Sequence, residues 1–239
     1  MTASKSPATL VLCAIAPRQS AGSRGGSWLD AARALAVPVT WVAAVESMAN
    51  FDGAMAGVDV AIDVPPAACA SRTRLRDLLG RARAAAPSCA AAVLRGPMPP
   101  EHRGVLVEHG IAVALVDAFD EDGRGSRRPA PRGWACRSAV WGLWEVRVTP
   151  ARRRGLLGWL GVGGLSQPQP GSLQVLCTDG LHSGNNAATF VASRLERWIA
   201  WASHHQARGS AIVTHLSALP AIISSGGRAA LSGSVLRAA

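Results

Sequence analysis

The sequence has no tyrosine and only three phenylalanines, and aromatic residues make up 5% of it. Its core must therefore be built mainly from aliphatic side chains. Lysine is almost absent too: Lys5 is the only one, so nearly all the positive charge is arginine. Together with the abundance of Ala, Arg and Gly, this looks like a GC-rich coding bias. The formal net charge of +10 raises the question of a nucleic-acid or anionic-surface partner. The arginines, however, are spread along the chain. They cluster only locally, at Arg127, Arg128 and Arg132 and at Arg152, Arg153 and Arg154. That spread fits a solvated basic surface better than a nucleic-acid interface.

Other absences narrow the field further. The cysteines are odd in number, Cys13, Cys69, Cys89, Cys136 and Cys177, and none form a C-x-x-C pair. Neither a disulfide framework nor a zinc knuckle is indicated, and buried, reduced thiols are expected. Cys13 and Cys177 lie inside apolar runs, as buried thiols do. The apolar stretch from Gly155 to Leu165 is too short to span a bilayer. The N-terminal run Ala8 to Ala16 follows a single basic residue, and Pro17 stands where a signal peptidase would cut. It reads as a core strand, and the protein is expected to be cytoplasmic.

What is present is a regular alternation. Thr9–Ala16, Val39–Val45, Val58–Val64, Ala90–Leu94 and Ile111–Asp117 read as apolar strands. Between them, helices are expected at Ser27–Ala36, Ser47–Ala56, Ser71–Ala86 and Pro100–His109. Ser27 is placed as the N-cap of the first helix, with Asp30 close to a capping-box position. Leu75, Leu78 and Leu79 form the apolar stripe of the third helix. Gly110 takes the C′ position of the fourth. Pro65-Pro66 stops the third strand. Apolar strands alternating with helices imply a mostly parallel sheet, covered on both faces or closed into a barrel.

The rhythm breaks at Asp120. A charged, Pro/Gly-rich loop runs to about residue 134, and Ser138–Val148 then reads as one extended segment. A second irregular basic segment covers 149–171. The pattern resumes with a strand at Ser172–Cys177, a long helix at Ala187–Arg208, a strand at Ala211–Thr214 and a helix or turn at Leu216–Ser224. The chain is expected to loosen from about residue 226.

The order of these elements resembles the polysaccharide deacetylases of the NodB-homology type. Trp28–Val45 (WLDAARALAVPVTWVAAV) is similar to that family's first helix and following strand. Val93–Pro97 (VLRGP) is similar to its R-x-P strand end. Glu101–Val116 and Arg194–Leu219 are similar to later helix–strand units. The resemblance covers about Thr9 to Leu219. It implies an α/β fold: a single-domain distorted (β/α) barrel over residues 1–239 with mostly parallel strands.

The resemblance also exposes two gaps. Active members end the first strand in T-F-D-D-G and carry H-[ST]-x-x-H after the third. Here Leu10–Ala16 is followed by Pro17-Arg18-Gln19, without a carboxylate. The third strand ends in Ala61-Ile62-Asp63-Val64-Pro65-Pro66, without a histidine. Metal-assisted hydrolysis needs an ion with an open position to activate water, and a lone Asp63 does not supply its ligand set. No metal and no cofactor are expected.

Several residues remain as candidates. Arg95 falls where the family's groove-lining arginine stands, at a strand's C-terminal end, where βα barrels collect their chemistry. It would either clamp an anionic or hydroxyl-rich ligand or pair with Asp63 or Asp117. Asp179 and His182, in Thr178-Asp179-Gly180-Leu181-His182, are similar to the family's late L-x-x-H-D motif. They read either as a general acid–base pair or as a capped turn. Trp134, Trp141 and Trp144 would stack on a ligand or fill the core. On one continuous strand, Trp141 and Trp144 would face opposite ways. The adjacent His204 and His205, with His215, make a poor metal site because neighbours on a helix diverge. Gly22–Ser27 lacks the spacing of a phosphate loop.

The leading expectation is a catalytically degenerate deacetylase-like module that binds a carbohydrate-like or anionic small molecule through Arg95, Asp63 and Trp141. The alternatives are a metal-independent hydrolase using Asp179, His182 and Arg95, and a basic nucleic-acid or anionic-surface binder.

Overall fold

The computed structural model describes residues 6–15, 27–48, 58–116, 136–140, 142–149, 165, 167–178 and 187–230. The strands are β1 (Ala8–Ile15), β2 (Thr40–Ala43), β3 (Asp59–Val64), β4 (Ala91–Leu94), β5 (Val113–Val116), β6 (Cys136–Val140), β7 (Leu143–Arg147), β8 (Leu173–Thr178) and β9 (Ala211–Thr214). The helices are α1 (Ser27–Ala34), α2 (Val45–Met48), α3 (Pro66–Cys69), α4 (Arg72–Ala85), α5 (Arg103–Glu108), α6 (Ala187–Ala207) and α7 (Leu219–Ala230).

The sheet runs β6-β7-β5-β4-β3-β2-β1-β8, and β9 also pairs with β1. Every pairing is parallel except β6 with β7. The two ends of this order come back together beyond β7. There the Thr149 amide donates to the Val175 carbonyl at 2.8 Å, and the Val175 amide donates to Thr149 Oγ1 at 2.9 Å. The result is a nearly closed, barrel-like parallel sheet carrying helices. Thr149, expected in an irregular segment, is the residue that draws β7 to β8.

The alternation of strand side chains divides the core. Val11, Cys13, Val42, Ala61, Val93, Leu115, Val146 and Val175 belong to one buried cluster inside the barrel. The intervening residues face outward. Ile62, Leu94 and Ala114 pack under α4 and α5 with Leu75, Leu79 and Leu106. Leu10, Leu12 and Leu176 pack under α1 and α6 with Leu195, Trp198 and Ile199. Small and β-branched residues inside leave room for the strands to close, while leucines fill the outer layer.

β1 serves three neighbours with two edges. β8 takes one edge along Thr9–Ala14. β9 and β2 share the other: β9 pairs with Ala8–Val11 and β2 with Cys13–Ile15. Below that split the chain turns across the N-terminal end of the barrel. The Leu216 amide donates to Thr40 Oγ1 at 2.8 Å, and the Ser217 amide donates to Asp59 Oδ2 at 3.2 Å. Thr40 Oγ1 in turn donates to the same Asp59 oxygen at 2.9 Å. Leu216, Leu219 and Ile223 then join the interior cluster and plug this end.

Most expected elements appear within a residue or two of their predicted ends. The Ser71 side chain caps α4 by accepting from the Arg74 amide at 3.5 Å. Gly110 has φ +80. A Cβ there would collide with the Arg83 guanidinium, whose Nη1 donates to the His109 carbonyl at 3.0 Å. Other elements differ. Pro65-Pro66 ends β3 but also starts α3: Pro65 is the N-cap and Pro66 the first helical residue, where a missing N–H costs nothing. α2 begins at Val45, two residues before the expected Ser47, and 49–57 lie outside the described residues. The segment Ser138–Val148 is a hairpin. Gly142, with φ +86, reverses the chain between β6 and β7. α7 stays helical to Ala230, past Gly226, where the chain was expected to loosen.

Candidate functional site

Asp63 follows Ala61 on β3 with the same interior parity, one residue before the strand's C-terminal end. Arg95 follows Ala91 and Val93 in the same way, one residue past the end of β4. The register Asp63↔Val93 and Val64↔Leu94 brings the two side chains together at the barrel mouth. Arg95 Nε donates to Asp63 Oδ1 at 2.6 Å, and Nη2 donates to Oδ2 at 3.0 Å. Each side chain is 6% exposed. This is the two-point geometry that a planar guanidinium and a carboxylate favour. Of the readings open for Arg95, the structure contains the ion pair with Asp63.

The chain around this pair is held tightly. The Arg95 amide donates to the Val64 carbonyl at 2.9 Å. Gly96 passes close to α3, and a Cβ there would stand 3.1 Å from Pro66 Cβ and 3.2 Å from its Cα. Cys69, at the end of α3, directs its thiol to the Val64 carbonyl at 3.7 Å. Burial pushes that thiol's pKa up, and nearby amides of Gly96 and Arg95 offset part of the rise. His102 is buried, and its Nδ1–H donates to the Cys69 carbonyl at 2.9 Å. Cys69 and His102 belong to the shell of this site; the sequence marked Cys69 only as a buried thiol and did not mark His102. A short helix opening at a Pro-Pro pair was the available signal.

A second ion pair braces the outer side of the barrel. Arg103 Nε on α5 donates to Glu145 Oε1 on β7 at 2.5 Å, and Glu145 is 3% exposed. This pair faces the helix layer, not the mouth.

Asp179, His182, Trp134, Trp141, Asp117, both arginine clusters and Gly22–Gly26 lie outside the described residues. Trp144 is half-buried and packs on the interior cluster. The opposed faces expected for Trp141 and Trp144 assumed a continuous strand. The turn at Gly142 removes that parity. His204 and His205 lie at the end of α6, near the start of β9 and so at the opposite end of the barrel. His205 Nδ1 pairs with Ser210 Oγ at 2.9 Å, and burial pushes its pKa down. A shallow depression lined by Ser6, Pro7, Gln169 and Ser210 also lies at that end, away from Arg95.

Among the described residues, no three His, Cys, Asp or Glu side chains are grouped to hold a metal ion. Among the described residues, the carboxylate at the mouth is that of Asp63, and it already accepts two bonds from a guanidinium whose charge would oppose a cation there. Among the described residues, no helix is long and apolar enough to cross a membrane. No family model matches the sequence, and no curated protein is significantly similar to it.

Proposed function

We propose that the chain is a catalytically degenerate relative of the polysaccharide deacetylases, and that its barrel mouth binds an uncharged, carbohydrate-like ligand. The observation that carries this reading is the Arg95–Asp63 pair: two charged side chains facing inward at the C-terminal rim, next to the barrel's apolar interior cluster. That rim is where βα barrels bind their ligands. The pair is electrically neutral as a unit. An anion would compete with Asp63 for the guanidinium, and a cation would compete with Arg95 for the carboxylate. A neutral polyhydroxyl ligand can accept from one side and donate to the other without breaking the pair. The sequence around β3 adds support, because no histidine follows Asp63 where a metal-dependent deacetylase requires two.

The test is calorimetric titration of the full chain with chito-oligosaccharides, N-acetylated and deacetylated, alongside NMR of the Arg95 Nε–H. Saturable heat in the millimolar range or tighter, with a shift of the Arg95 resonance, is expected. Acetate release is followed on the same samples. Neither heat nor a shift with any of these sugars would sink the binding reading, and acetate release above background would replace it with an enzymatic one.

A further inference from the structure

Cys13 and Cys177 are far apart in sequence, yet they are register partners on the parallel strands β1 and β8. Both sit on the interior face. Cys13 belongs to the barrel's inner cluster and Cys177 packs against it. Cys13 is fully buried, whereas Cys177 is only partly so. Cys177 also lies one residue from the C-terminal end of β8, on the side of the mouth.

We propose that Cys13 and Cys177 form a reversible dithiol–disulfide couple, oxidised by exchange with a small-molecule disulfide that reaches Cys177 first. Neighbouring strands lie about 4.8 Å apart, within the roughly 4.4–6.8 Å between Cα atoms that a disulfide bridges. Hydrogen bonding to Cys177, then burial, raises the Cys13 thiol well above its ordinary pKa, in keeping with that register. The other buried thiols are spent differently. Cys69 points at the Val64 carbonyl, and Cys89 donates to the Val60 carbonyl at 3.0 Å. Only the Cys13 and Cys177 thiols, among those described, have another thiol as neighbour.

The exchange balances in two steps. The Cys177 thiolate attacks one sulfur of the small disulfide, forming a mixed disulfide and releasing one small thiolate, which takes the proton that Cys177 lost. Cys13 then loses its proton and attacks Cys177 Sγ. The protein S–S bond forms, the mixed S–S bond breaks, and the second small thiol leaves with that proton. Two electrons pass from the protein pair to the small disulfide. The product is neutral, which suits an apolar lining. A soft metal ion held by two thiolates would instead leave charge there, which favours the disulfide.

The full chain is equilibrated in buffers of stepped reduced-to-oxidised glutathione ratio, alkylated under denaturing conditions, cut with trypsin and mapped by mass spectrometry. The expected product is a cross-link between the peptide Ser6–Arg18 and the peptide Gly155–Arg194, lighter by two hydrogens than the sum and reversed by reductant. The oxidised protein should melt about 10 °C above the reduced one, because the bridge closes a long loop. Cys13→Ser and Cys177→Ser should each abolish the cross-link and the shift, and Cys89→Ser should retain both. The mapping needs no variant, so a substitution that fails to fold leaves the test intact. Recovery of Cys13 and Cys177 as alkylated thiols at the most oxidising ratio overturns the proposal. So does a Cys177–glutathione adduct that never resolves, or a bridge from Cys13 to another cysteine.

Discussion

Arg95 Nε lies 2.6 Å from Asp63 Oδ1 while its Nη2 lies 3.0 Å from Oδ2, and both side chains are 6% exposed. Removing one partner strands a buried charge. Arg95→Met and Asp63→Leu are each expected to destabilise the fold by about 3–5 kcal/mol. The double variant should recover much of that loss, because two apolar residues leave no unpaired charge. Urea unfolding of the four proteins measures the coupling, and strictly additive losses would contradict it.

The N-terminal plug depends on Thr40 and Asp59 receiving the Leu216 and Ser217 amides. Thr40→Val removes a buried acceptor and leaves the Leu216 N–H without its partner. A loss of about 1–3 kcal/mol is expected. Hydrogen exchange at Leu216 should accelerate before exchange in β4 does. Equal acceleration at both places would mean that the plug does not open by itself.

Gly110 combines a positive φ with a blocked Cβ position. Gly110→Ala is expected to cost about 1–3 kcal/mol. Gly80, on α4, has nothing within 4 Å of its Cβ position. Gly80→Ala should stabilise by about 0.5–1 kcal/mol, because alanine is the better helix former. Thermal melts of the two variants should move in opposite directions.

The reduced protein should weaken in mild alkali. The pKa values of Cys13, Cys69 and Cys89 are all raised in the folded state, Cys13 mainly by its bond to Cys177 and the other two mainly by burial. An acid whose folded pKa lies above its unfolded one stabilises fully below the unfolded value, and that contribution is lost as pH rises past it. The urea midpoint should thus hold below about pH 8 and fall in the window above about pH 8.5. With no tyrosine and one lysine, few other side chains titrate in that window. Cys69→Ala and Cys89→Ala should each flatten the fall, and a midpoint that is level across the window would refute the assignment.

The alternation that builds β1 to β5 was legible because each strand is an apolar run closed by a turn residue. The Arg95–Asp63 contact was legible as one of two options, since both residues end neighbouring strands. α3 was not, because a proline pair signals a stop as strongly as a helix start. The hairpin at Gly142 was hidden by eleven residues of uniformly strand-like composition between Ser138 and Val148. The meeting of Cys13 with Cys177 depends on which strands close the barrel. Local periodicity carries no information about that.

The shared edge of β1 bears on how the chain is made. β1 is synthesised before the other described strands, but β8 and β9, which cover most of one of its edges and the first half of the other, come after the rest. Until then most of β1 is an open, apolar strand with unpaired amides, the kind of segment that recruits strands from other chains. Its polar guards are few: Thr9 is the only non-aliphatic residue in Ala8–Ile15 besides Cys13. Nascent chains halted before residue 173 should therefore need a chaperone more than the finished protein does, and the last two strands set the moment at which that need ends.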